Sequence, residues 1–186
     1  MRRWLAVVLA LAVAGPAAAQ TSDAFAGLPR VTFTFYDVDG EDAAAVREAM
    51  NAVRPTDRND GERVDALSHW TMRWRWTGRR RGGCDLSTAR VTVRAEVTLP
   101  RLAHPETAPA PLVARWNQYL IALEAHEAGH LRHAYARRAA VLAAIRGATC
   151  ATAAGAAQAA LQAIKGHDLD YDRETQHGRS QGAVFP

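Results

Sequence analysis

Three stretches of the chain alternate apolar and polar residues with a period of two, the pattern of a strand with one buried face. Val31, Phe33 and Phe35 oppose Thr32 and Thr34. Trp70, Met72, Trp74 and Trp76 alternate with Thr71, Arg73 and Arg75, and Val91, Val93, Ala95, Val97 and Leu99 alternate with Thr92, Arg94, Glu96 and Thr98. β-Branched and aromatic residues dominate all three, as pleated surfaces favour. The tryptophan row reads as the core face of a sheet, with an exposed sugar platform as the alternative. Between the first two strands, Asp39-Gly40 and Asn59-Asp60-Gly61 signal turns, and residues 41–53 read as a short alanine-rich helix stopped by Arg54-Pro55.

The second half changes period. A proline-rich connector at 100–111 leads into a stretch from Leu112 to Gly147 whose one helix breaker is Gly129. It predicts a single long helix. Residues 152–165 predict a second, alanine-rich helix antiparallel to it, and 166–186 read as a polar, irregular tail. Neither half has two layers to bury its own apolar face, so both belong to one domain.

Composition adds limits. With 48% hydrophobic and 23% charged residues the chain is of ordinary globular type, which excludes a disordered protein. Residues 1–19 have a basic start, an apolar run and an Ala17-Ala18-Ala19 exit, the three parts of a cleavable export signal. The apolar run, Trp4 to Ala14, is too short to span a bilayer, which takes about 20 residues, so no stable membrane insertion is expected after cleavage. Removing 19 of 186 residues leaves 167, and the loss of Arg2 and Arg3 lowers the net charge from +4 to +2. That leaves no charge argument for a nucleic-acid partner. Cys84 and Cys150 both remain and would enter an oxidising periplasmic or extracellular space, where a disulfide is expected and two buried free thiols are the alternative. The loop Gly78-Arg79-Arg80-Arg81-Gly82-Gly83 reads as a solvated basic turn, with acidic lipid or polysaccharide as its other possible partner.

The chemistry concentrates in His126-Glu127-Ala128-Gly129-His130. Residues four apart stack on one helix face, so both imidazoles can grip one metal ion while Glu127 activates water as general base. Zinc suits nitrogen and oxygen donors and has no redox chemistry. Glu127 and His130 also fall on the stripe carrying Trp116, Leu120, Leu123, Ala134, Val141 and Ile145. A carboxylate there costs several kcal/mol unless a charge meets it, a buried arginine pair being the plain alternative. His133 stands about 10 Å up the axis from His126, too far to share the ion. The second helix returns to the level of the motif, so the third ligand is sought in the tail, among Asp168, Asp170, Asp172, Glu174 and His177.

In Tyr36-Asp37-Val38-Asp39-Gly40, Trp70-Thr71, Cys84, Leu99-Pro100-Arg101, Trp116, Tyr119, the HEAGH motif, Cys150 and residues 171–178 (YDRETQHG), the chain resembles a bacterial family of predicted secreted zinc-dependent proteases. The resemblance implies an α+β, zincin-like metallopeptidase domain over residues 20–186, acting on a peptide or protein substrate. The fold expected is an antiparallel sheet of three or more strands packed on the long HExxH helix, with the shorter helix antiparallel to it. The matched tail segment favours His177 as third zinc ligand, with Asp172 the alternative and Glu174 behind them. With His177 on the metal, Tyr171 is the expected oxyanion donor; with Asp172 on the metal, His177 takes that role. A non-catalytic envelope module with a structural zinc, or an amidase acting on a cell-wall amide, is the competing function.

Overall fold

A computed structural model describes residues 23–79 and 83–186. The expected export signal and residues 80–82 of the basic loop lie outside the described residues. After a single turn at Asp23–Phe25, the order is β1 (Val31–Val38), α1 (Ala43–Val53), β2 (Leu67–Gly78), β3 (Cys84–Leu102), α2 (Ala110–Arg146) and α3 (Ala153–Thr175), then a last turn at Arg179–Gln181.

The alternating strands all form, and β2 and β3 make the expected antiparallel hairpin, Trp70 opposite Ala95 and Trp74 opposite Val91. The sheet as a whole is mixed rather than antiparallel. Its order is β1-β3-β2, and β1 runs parallel to β3, with Val31 opposite Ala95 and Val38 opposite Leu102. The cause is the connection out of β1. Parallel neighbours need a crossover, and α1 with the loop 54–66 carries the chain over β3 to begin β2 on the far side. Val46 and Met50 of α1, both fully buried, pin that crossover to the core, and Asp42 caps the helix by accepting from the Ala45 amide.

One face of the sheet buries Trp70, Met72, Val91, Val93, Val97 and Leu99 under α2, whose stripe Trp116, Tyr119, Leu123, Leu131, Ala134, Val141 and Ile145 meets it. Trp70 and the apolar positions of β3 are core, as their alternation requires. Trp74 and Trp76 are only partly covered.

The helical half departs from expectation in α3. It does not stop at Lys165 but runs through Gly166 to Thr175. A glycine inside a helix costs only about 1 kcal/mol relative to alanine. Ile164, Asp172 and Thr175, all buried, line the side of this helix that packs on α2 and continue it past the break. The donor-rich segment is thus a helix face rather than a loop. Cys84 and Cys150 form a disulfide with a Cα separation of 5.7 Å, joining the start of β3 to the turn between α2 and α3. No described helix is long and apolar enough to cross a membrane.

Candidate metal centre

His126 and His130 sit midway along α2, one turn apart and nearly fully buried. Their Nε2 atoms lie 3.3 Å from each other. Asp172, from the last turns of α3, brings Oδ1 to 3.1 Å from His126 Nε2 and 3.0 Å from His130 Nε2. Three donor atoms from two helices thus converge on one point. The outer nitrogens are held as well: Gln181 Oε1 lies 3.0 Å from His126 Nδ1, and Asp168 Oδ1 lies 3.3 Å from His130 Nδ1. Asp168 is fixed in turn by the Trp70 indole, which donates to its Oδ2 at 2.7 Å. Histidines that bind metal are commonly oriented by such partners.

Two glycines make the arrangement possible. Tyr171 stacks on His126 with ring centroids 5.0 Å apart and planes at 13°. A Cβ on Gly129 would stand 2.5 Å from the Tyr171 hydroxyl and 2.9 Å from Cζ, so the ring packs where a side chain would otherwise be. At the end of α3, Gln176, His177 and Gly178 all adopt positive φ (53°, 52° and 81°) and swing the chain back across His126. A Cβ on Gly178 would come within 2.9 Å of the His126 ring, so only glycine lets the tail pass and deliver Gln181.

The electrostatics follow from burial. Desolvation pushes the Glu127 carboxyl above its ordinary range, partly offset by the charges of His130 and His126 and a hydrogen bond from Ser68. Burial alone would lower His130, but hydrogen bonds to Asp168 and Asp172 outweigh it and raise the imidazole to about 10. Burial opposes ionisation of Asp172, yet hydrogen bonds from both histidines hold its carboxyl far below the usual carboxylate range.

The remaining residues singled out in the sequence separate. His177 is not among the three converging donors. Its Nδ1 is 3.5 Å from Asp172 Oδ1, while Nε2 faces Asp60 at 3.4 Å and Glu62 at 3.5 Å on the solvent side. The Tyr171 hydroxyl pairs with Gln181, on the Nδ1 side of His126 rather than beside Nε2. Glu174 is exposed, and Asp170 pairs with Arg173 at the surface. His133 stacks on His167 between the helices, centroids 3.6 Å apart.

A cavity of about 40 Å³ touches His126, Glu127, His130 and Asp172, and adjoins a groove of about 860 Å³. Leu123, Asp172 and His177 line both. The groove runs between α1 with the following loop and the end of α3. Asp65 holds that loop in place. Arg47 contacts its two oxygens at 2.9 and 3.0 Å, Arg54 donates at 3.2 Å and the Tyr119 hydroxyl at 2.9 Å. Burial raises the Asp65 carboxyl, but these bonds outweigh it and keep it below the ordinary range.

Asp65, Ser68 and Gln181 carry no sequence signal that marks them. Asp168 and Asp172 did carry one: four apart, they share a helix face once α3 is continued past Gly166.

The fold and centre together define an α+β domain with an HExxH helix crossed by a second helix that supplies a carboxylate. The chain belongs to a bacterial family of unknown function, DUF922, whose model matches residues 33–178. No curated protein and no solved structure matches it.

Proposed function

We propose that the protein is an exported zinc metallopeptidase in which His126, His130 and Asp172 hold the metal and Glu127 is the general base. The observation that carries this reading is the convergence of the two Nε2 atoms and Asp172 Oδ1, 3.0–3.3 Å apart. Tetrahedral zinc with bonds of about 2.0 Å to such donors requires separations of about 3.3 Å. Three donors rather than four, among the described residues, favour a catalytic over a structural site. Zinc supplies Lewis acidity and allows water to ionise near neutral pH.

The chain's own residues supply the rest. Glu127, its basicity raised by burial, takes a proton from the attacking water and delivers it to the leaving amine. His177, at the junction of cavity and groove, donates to the oxyanion. Asp172 as third ligand and His177 as oxyanion donor belong together, since the two are neighbours and only Asp172 reaches both imidazoles. Tyr171 and Gln181 act through His126 as positioning residues. The disulfide fits an exported protein.

Glu127→Gln tests the reading. The variant should fold and bind zinc as the parent does, and hydrolyse an unfolded protein substrate at least about 100-fold more slowly. Equal hydrolysis by both forms, or a zinc-loaded parent that cleaves none of a broad panel of unfolded proteins and peptides, would count against it.

A further inference from the structure

The face of the sheet turned away from α2 carries four arginines that the reading above does not use. The β2–β3 register sets Arg75 directly opposite Arg90, Arg73 opposite Thr92 and Arg94 opposite Thr71. All four are exposed on adjacent rungs. Rungs on one face are about 7 Å apart along a strand, and opposed Cβ atoms about 5 Å across it, so the four cations share a small area.

Like charges directly opposite one another destabilise a strand pair. Glu96, the next exposed position after Arg94 on β3, lies opposite His69 and forms no ion pair with these arginines. No described carboxylate forms an ion pair with Arg73, Arg75, Arg90 or Arg94, and Arg90 only donates to the carbonyls of Thr88 and Ala89. Asp85 is taken by Arg79 and Ser87. The undescribed residues contain no aspartate or glutamate.

We propose that this face is a docking surface for an anionic lipid bilayer, with the arginines seated on headgroup phosphates. Guanidinium groups bind phosphate in a two-pronged fashion, and an array on a rigid sheet meets many at once. Charge complementarity identifies the partner, and two observations choose a bilayer over a linear polyanion. The arginines line neither the groove nor the cavity, so there is no channel to enclose a strand. The array also stands on two hydrogen-bonded strands, braced by the Cys84–Cys150 disulfide and by Arg146 donating to the Ser87 carbonyl. Binding is peripheral: the exposed large apolar residues Val53, Ile121, Leu169 and Val184 all lie outside the strands. The groove, on the helical side, then faces away from the membrane. This inference is independent of peptide hydrolysis.

Vesicle sedimentation of the purified protein tests it, using phosphatidylcholine alone and phosphatidylcholine with phosphatidylglycerol, at low and high salt. Binding should require phosphatidylglycerol, weaken with salt, and fall at least about tenfold in Arg73→Glu/Arg94→Glu. The control Arg137→Glu/Arg138→Glu changes net charge equally on α2 and should bind as the parent does. Zinc content should be unchanged in both. Three results would each overturn the proposal: no preference for the anionic vesicles, equal loss in the two double variants, or tighter binding to soluble polyphosphate than to vesicles.

Discussion

Gly129→Ala places two opposed effects on one atom. Within a helix, alanine is favoured over glycine by up to about 1 kcal/mol. The new Cβ, however, would stand 2.5 Å from the Tyr171 hydroxyl and 2.9 Å from Cζ. The ring has little room to withdraw, since it stacks on His126 at 5.0 Å, meets His130 edge-on at 4.9 Å and has its hydroxyl on Gln181. Overpacking of this kind costs about 1–3 kcal/mol, more than the helix gains, so the net effect is a loss of about 1 kcal/mol. Zinc affinity should fall with it, by about tenfold, because the ring and Gln181 orient His126. Tyr171→Ala removes the obstacle. In that background Gly129→Ala should be stabilising by about 0.5–1 kcal/mol, a reversal of sign. Urea unfolding of the four proteins measures both steps. A stabilising Gly129→Ala in the parent, or the same change in both backgrounds, would show that the Tyr171 ring does not oppose the new methyl.

Four further outcomes follow from the structure. Because His130 is protonated at neutral pH without metal and Asp172 is already ionised, zinc binding at pH 7 should release a proton from His130, and apparent affinity should rise with pH up to about 10; calorimetry in buffers of differing ionisation enthalpy measures the release. The sign for the metal-free protein is opposite: the raised His130 contributes stability that is complete below the unfolded value near 6.5 and is lost as pH rises through about 10. Asp168→Ala, which frees His130 Nδ1 and the Trp70 indole, should weaken zinc binding about 10–100-fold in a chelator competition. Reducing the disulfide, which closes a loop across a sequence separation of 66, should cost about 4 kcal/mol in urea unfolding, and an unchanged midpoint would contradict that.

The parts that could be read from sequence are those governed by local periodicity. β1, β2 and β3 follow from alternation, and α2 from an unbroken stripe with one glycine. The pairing of β1 could not be read the same way. Val31, Phe33 and Phe35 fit a parallel or an antiparallel neighbour equally well, and the choice depends on where α1 carries the chain. The centre divides similarly. His126, Glu127 and His130 are local to one helix and mark themselves. The third donor depends on whether Gly166 ends α3, which is decided by packing of Asp172 and Thr175 against α2 rather than by propensity. With the segment taken as a loop, His177 and Asp172 look equivalent; as a helix, Asp172 reaches both Nε2 atoms while Asp168 holds His130 Nδ1, and His177 lies in the left-handed turn. Gln181 and Asp65 are set wholly by tertiary contacts.

The proposed metal would join α2 to α3 through Asp172. Zinc titration against a competing chelator, on the parent, Asp172→Ala and His177→Ala, measures it directly. The parent should bind one tight zinc per chain, Asp172→Ala should lose at least about 100-fold in affinity, and His177→Ala should change it by less than about tenfold. A parent that binds no zinc, or a loss confined to His177→Ala, would contradict this assignment.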